Sequence, residues 1–87
     1  MTAVYHDAAL EEAIEAAGWY ERQQPGLGIR FLSQWRTAEA RMVSSPEIHR
    51  CFEGELRKCR FDVFPYALVF RICGTRLQII AVMHMSR

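Results

Sequence analysis

Two β-rich segments joined by Gly74-Thr75 restrict the folds open to this chain more than any other feature. One segment covers residues 66–73 and the other residues 76–84, and a two-residue connection that begins with glycine is typical of a tight β-hairpin. In that register one face of the hairpin is entirely apolar or aromatic, so we expect it to be buried against a second layer. The predicted pairs on this face are Ile72 with Leu77, Phe70 with Ile79, Leu68 with Ala81, and Tyr66 with Met83.

The opposite face of the same hairpin carries polar side chains. Because side chains alternate between the two faces of a strand, Arg71, Gln78 and His84 are predicted to share this face. Arg71 would pair with Gln78, and His84 would lie roughly 20 Å further along, at about 3.3 Å per residue. We therefore expect Arg71 to point away from the core. We expect His84 to be a structural or partner-contact residue and not an acid or base acting with Arg71.

Apolar residues in the first half of the chain follow the period of a helix. Asp7 is a predicted N-cap for a first helix, Pro25–Gly28 ends that helix, and a second helix is predicted from about Ile29 to Val43. The short connection predicts an antiparallel helical hairpin. The predicted buried stripes are Leu10, Ala13, Ile14, Ala17 and Tyr20 on the first helix, and Phe31, Leu32, Trp35, Ala38 and Met42 on the second.

Two further strands complete the predicted sheet. Residues 3–5 form the first, and residues 56–61 form one whose Cys59 and Phe61 face the core while Lys58 and Arg60 face outward beside Arg71. Residues 47–54 are predicted to be a connecting loop. The chain is thus predicted to be a single domain over residues 1–87. Its predicted fold class is α+β, a helical hairpin packed on one face of a twisted antiparallel sheet in the order β-α-α-β-β-β.

Composition limits the classes of function and partner. The apolar share is 51%, more than the core of an 87-residue domain can hide, so we expect a partner to cover part of the surface. The net charge of +1 argues against a dedicated nucleic-acid binder, so we expect no direct DNA binding by the chain alone. No apolar run approaches the length of a membrane span, and no dinucleotide or phosphate-binding motif or other cofactor signature occurs.

Cysteine and histidine usage indicates a reducing compartment and no metal site. Cys51, Cys59 and Cys73 are odd in number and form no CxxC pair, which favours inert buried thiols and a cytoplasmic protein. His6 and His49 have no cysteine or acidic neighbours at metal-ligand spacing. Trp19 and Trp35 are expected to pack in the core or the helical hairpin.

Several segments, taken together, resemble the RelE/ParE toxins of bacterial type II toxin–antitoxin pairs. The resemblance implies the β-α-α-β-β-β fold and growth inhibition, as in plasmid stabilisation. It also implies an antitoxin partner from the same operon. We expect that partner to be a disordered, acidic peptide that folds as an added strand or an amphipathic helix on the toxin. The matching segments are residues 9–14, Trp19-Tyr20-Glu21, Pro25–Gly28, Arg30-Phe31-Leu32, Phe64-Pro65-Tyr66, Phe70-Arg71 and residues 79–84.

The family has two best-known mechanisms, and this chain matches them unequally. One branch cuts messenger RNA on the ribosome with basic and tyrosine side chains on the outer sheet face, and the other poisons DNA gyrase. Lys58 and Arg60 match two basic positions of the ribonuclease branch. That branch also has an arginine after the motif tyrosine, where this chain has Ala67. Its later arginine would fall near Met85 and its terminal tyrosine beyond Arg87.

The first hypothesis is therefore a gyrase-binding toxin without chemistry of its own. A ribosome-dependent endoribonuclease and a decayed member that only binds its antitoxin are the alternatives. Lys58, Arg60 and Arg71 would be the catalytic candidates if the protein were a ribonuclease, where they would stabilise developing phosphorane charge. The predicted antitoxin- or target-binding residues are Lys58, Arg60, Arg71, Gln78, His84 and Arg87.

Overall fold

The predicted hairpin lies inside a five-stranded sheet. The structure, a computed structural model, describes residues 1–86. Its strands are arranged across the sheet in the order β1-β5-β4-β3-β2, and two helices cover one face. The elements are β1 (Thr2–Tyr5), α1 (Asp7–Gln23), α2 (Leu27–Ser44), β2 (Cys51–Glu53), β3 (Leu56–Arg60), β4 (Tyr66–Cys73) and β5 (Arg76–His84), with a 3₁₀ turn at Pro46–Ile48.

This arrangement confirms the predicted fold class and element order, with two differences. β1 runs parallel to β5, so the sheet is mixed and not wholly antiparallel. The segment 47–54, predicted to be a loop, contains the 3₁₀ turn and the short edge strand β2, which pairs with β3. A three-residue strand next to Gly54 leaves too little alternation in the sequence to be recognised as β structure.

The predicted register of the β4–β5 hairpin holds near the turn and fails beyond Ile79. Arg71 pairs with Gln78 and Phe70 with Ile79, as predicted, but Val69 pairs with Ala81, which leaves Ile80 as the extra residue of a β-bulge. One extra residue moves every later side chain of the strand to the opposite face of the sheet. The predicted pairs Leu68 with Ala81 and Tyr66 with Met83 are therefore wrong. Leu68 pairs with Val82, and Tyr66 pairs with His84.

The helices begin and end close to the predicted positions, but the buried stripe of α1 differs. His6 and not Asp7 is the N-cap, and Asp7 lies in the first turn, where the helix dipole favours its charge. The buried residues of α1 are all alanines, and Ile14 is 63% exposed. Small side chains let α1 approach the sheet closely, and of the larger residues in its predicted stripe only Tyr20 packs against the core. The α1 residues buried in the core are Ala9, Ala13, Ala16 and Ala17, and the exposed members of the predicted stripes are Leu10, Ile14 and Leu32.

The turn between the helices is closed by a carboxylate. Glu21 accepts hydrogen bonds from the backbone N–H groups of Gly26 and Gly28 at 2.9–3.1 Å, and so occupies the N-terminus of α2. Gly28 has no room for a side chain, because a Cβ atom there would lie 2.9 Å from the carbonyl oxygen of Ala17. The helical hairpin therefore depends on this glycine.

The core lies between the helices and the concealed face of the sheet. Cys59 and Phe61 face inward, as predicted, and are 0% and 6% exposed. Hydrogen bonds then tie α2 to the strands: Trp35 donates to the Tyr5 hydroxyl at 2.7 Å, and that hydroxyl donates to Glu39 at 2.6 Å. The centre of the core contains edge-to-face, tilted and stacked ring pairs formed by Tyr20, Phe31, Phe61, Phe64 and Tyr66.

Candidate binding sites on the open sheet face and beside the last strand

The sheet face that the helices leave uncovered carries three cations, Lys58, Arg60 and Arg71. We call this surface the basic face. Lys58 pairs with Val69 and Arg60 with Ala67, and Arg71 lies two residues beyond Val69 on the same strand. Strand alternation therefore places all three side chains on one face, as the sequence predicts. The guanidinium of Arg71 points away from the helices, since its neighbour Phe70 is fully buried in the core.

Neighbouring side chains hold two of these cations in place. Gln78 accepts a hydrogen bond from Nε of Arg71 at 2.8 Å, so the predicted pairing of these residues is present as a direct contact. The ammonium of Lys58 lies 4.4 Å from the centroid of the Phe52 ring, a cation–π contact. Arg60 is exposed. The cations thus stand over Ala67 and Val69, which are almost fully buried, and an anionic surface is the complementary ligand.

None of the three tyrosines joins the basic face. Tyr5 donates to Glu39 of α2, Tyr20 is part of α1, and Tyr66 packs its ring edge-to-face against Phe31. Burial and the hydrogen bond to Glu39 raise the pKa of Tyr5 far above its usual range. The basic face of this chain therefore offers positive charge without a phenol for proton transfer.

His84 does not share the basic face, and its predicted placement there is wrong. The bulge at Ile80 turns it to the helix side, where its ring meets that of Tyr66 edge-to-face at a centroid distance of 5.0 Å. Its Nδ1 accepts a hydrogen bond from the Ser86 N–H at 3.2 Å. The other predicted binding residue near this end, Arg87, lies outside the described residues.

An open cleft of about 1130 Å³ lies between α1 and the end of β5, and we call it the α1–β5 groove. Sequence reasoning missed it, because the bulge that turns Val82 and His84 toward α1 has no local signature. Trp19, predicted to be packed, is 52% exposed. The groove residues used below are Glu12, Glu15, Trp19, Arg22, Val82 and His84.

The last strand has an unpaired stretch beside this groove. β1 pairs with β5 only as far as Tyr5 opposite Ile79, and the chain then turns into α1. The N–H of Val82 instead donates to a carboxylate oxygen of Glu12 at 3.1 Å. A side chain from α1 thus takes the place of a strand at this edge.

One of the three cysteines is buried and two are exposed. Cys59 is fully buried, as predicted, and burial raises the pKa of its thiol. Cys51 and Cys73 are exposed, so their predicted burial is wrong. Both lie at the ends of strands, where the alternation of buried and exposed residues ends. Residues 1–86 contain no cluster of metal-ligating side chains, and neither helix is long and apolar enough to cross a bilayer.

Comparison with known proteins gives one family and one fold. Residues 3–87 match a family model described as the ParE toxin of type II toxin–antitoxin system, parDE. No curated protein matches the sequence. Among solved structures, the chain is similar to one from the chromosomal ParDE toxin–antitoxin system of P. aeruginosa, with a TM-score of 0.80 and 12% identity over 97% of this chain and 95% of that chain. At this identity the structural match shows a shared fold.

Proposed function

Because this chain belongs to the ParE toxin family of type II toxin–antitoxin systems, we propose that it inhibits bacterial growth by binding DNA gyrase and that a cognate antitoxin neutralises it. Such a toxin acts in the cytoplasm as one half of a toxin–antitoxin complex. The observation that carries the choice of target is a basic face without a tyrosine. Three cations there suit binding to an acidic surface, whereas RNA cleavage also requires groups that move protons.

The position after Tyr66 supports binding over cleavage. Ala67 is fully buried between Arg60 and Met83, and the arginine that the ribonuclease branch has at this position is missing. His84, the other candidate for proton transfer, lies on the helix side of the sheet. The basic face can bind an anion, but it has no evident group to take the proton from the 2′-hydroxyl of an RNA substrate.

The antitoxin proposal rests on exposed apolar surface. Ile14, Trp19, Ile29 and Val63 are all more than half exposed, and a folded chain of this size gains stability when a partner covers such residues. An antitoxin that wraps the helical layer and the end of β5 would bury this surface. Its acidic part would match the basic face.

A ribosome-dependent endoribonuclease is the second candidate, favoured by the three clustered cations alone. Two assays with the purified chain separate the candidates: inhibition of DNA supercoiling by gyrase, and cleavage of ribosome-bound message. We expect supercoiling to be inhibited and the message to stay intact. Message cleavage with unaffected supercoiling would contradict the proposal, and inactivity in both assays together with normal cell growth would indicate a decayed member.

A further inference from the structure

We propose that the outer edge of β5 beyond the bulge receives an extended strand of the antitoxin that carries a basic side chain. The inference deepens the proposed function and rests on it. The strand would lie in the α1–β5 groove, replace the Glu12 carboxylate at the Val82 N–H, and continue the sheet from the point where β1 stops.

The backbone of β5 provides the first argument. The Met85 N–H donates to the carbonyl oxygen of Pro65 at 2.7 Å, on the side where β4 begins. Since backbone groups alternate in direction along a strand, the N–H groups of Val82 and His84 point to the opposite side, into the groove. In residues 1–86 no strand lies against this side beyond Ile79. An unpaired edge of this kind is a template for strand addition.

The contact of Glu12 with Val82 supplies the second argument. This hydrogen bond joins an exposed helix residue to a strand residue that is 2% exposed, and it satisfies a backbone donor that would otherwise lack a partner. A carboxylate on an exposed side chain can swing into water when another acceptor arrives. A backbone carbonyl of an added strand is that acceptor, so the free protein keeps this position of the edge closed until its partner binds.

The size of the groove favours a peptide over a small molecule. At about 1130 Å³ it exceeds the roughly 300–1,000 Å³ typical of small-ligand pockets. The exposed ring of Trp19 and the buried Val82 both line the groove, so a strand could cover apolar surface with every second side chain.

The charge of α1 defines the chemistry of the strand. This helix carries five acids (Asp7, Glu11, Glu12, Glu15, Glu21) and one base, Arg22. Glu12, Glu15 and Arg22 all line the groove, so the carboxylates of α1 in the groove outnumber its base. Once Glu12 leaves Val82, two carboxylates face the added strand, and a lysine or arginine there is the complementary residue. The segment in the groove is therefore basic, in contrast to the acidic segment expected on the basic face.

Amide hydrogen exchange tests the strand in the complex with the small protein encoded beside this chain. We expect the amides of Val82 and His84 to exchange at least about tenfold more slowly in the complex, because each gains a backbone acceptor. The amide of Ile79, which lies where β1 already pairs, serves as the internal control. A complex that forms without protecting Val82 and His84 would overturn strand addition alone, whereas failure to form any complex would overturn the antitoxin proposal as well.

Two further results bear on the occupant. Glu15→Gln should weaken antitoxin binding about two- to fivefold, as expected for a surface ion pair, while Glu11→Gln, on the same helix but outside the groove lining, should not. Equal affinities of the two variants would overturn the basic character of the strand. Protection of Val82 and His84 in the chain alone that rises with its concentration would assign the edge to a second copy, against the proposal.

Discussion

Single side chains hold the short connection between α2 and the sheet in place. Among them, His49 has the most specific surroundings. Its ring packs edge-to-face on Phe70 with a centroid distance of 5.8 Å, its backbone carbonyl accepts a hydrogen bond from Arg57, and its Nε2 is buried without a hydrogen-bond partner. Burial lowers the pKa of His49 below its ordinary value of 6.5, and the positive charges of Arg41 and Arg57 lower it further.

The stability of the protein should therefore depend on pH through His49. The folded state favours the neutral ring, so the unfolded chain binds the proton first as the pH falls. The contribution of the neutral His49 ring to the free energy of unfolding is complete above pH 6.5. It decreases as the pH falls from 6.5 toward the lower pKa of the folded state. We expect the difference in unfolding free energy between wild type and His49→Gln to be larger at pH 7.5 than at pH 5, as measured by urea denaturation. His6→Gln controls for the loss of one imidazole, and a difference independent of pH would contradict this account.

At the level of strands and helices, the β4–β5 hairpin separates what the sequence predicts from what it does not. Alternation correctly assigned Arg71 and Gln78 to the open face and Phe70 to the core. It failed at Ile80, because a bulge leaves the composition of a strand unchanged and only shifts its pairing. The bulge follows Ile79, where β1 stops pairing with β5. These two strands are far apart in the chain, so the local sequence does not indicate where their pairing ends.

Two members of the predicted α1 stripe, Leu10 and Ile14, are wrong for a different reason, while Ala13, Ala17 and Tyr20 pack as predicted. Helical spacing selected Leu10 and Ile14 by their hydrophobicity, whereas the buried residues of α1 are all alanines. A closely packed interface selects for volume as well as for hydrophobicity. Leu10 and Ile14 remain exposed, so they belong to the apolar surface that a partner would cover. Their exposure explains both the error in the predicted stripe and the expected contact with an antitoxin.

The helical hairpin offers a matched test with two glycines. Gly28→Ala should destabilise the protein by about 1–3 kcal/mol, because its Cβ would press on the Ala17 carbonyl and the Glu21 carboxylate. Gly18→Ala should stabilise it by up to about 1 kcal/mol, because a Cβ there meets only Arg22 at an ordinary 3.5 Å while the helix gains an alanine. Thermal denaturation of the two variants should shift in opposite directions. A shift in the same direction would show that the turn is not closed as described.

The molecule as a whole separates its charge into an acidic helix and a basic sheet face, although the net charge is only +1. Net charge therefore understates the field on either surface, and an uneven distribution of this kind favours protein partners with complementary patches. In the proposed complex the antitoxin meets both surfaces with segments of opposite sign, while the gyrase contact uses the basic face alone.

The most direct test of the gyrase proposal is a supercoiling titration with two double variants that remove equal charge. Arg60→Gln with Arg71→Gln removes two of the three cations of the basic face, whereas Arg30→Gln with Arg36→Gln removes two exposed arginines from α2 and leaves that face intact. We expect the first pair to raise the concentration needed for half-inhibition of gyrase at least about tenfold, because each arginine is proposed to make a charge-assisted contact. The second pair should behave like wild type. Equal inhibition by both double variants, or no inhibition by the wild-type chain, would contradict the account.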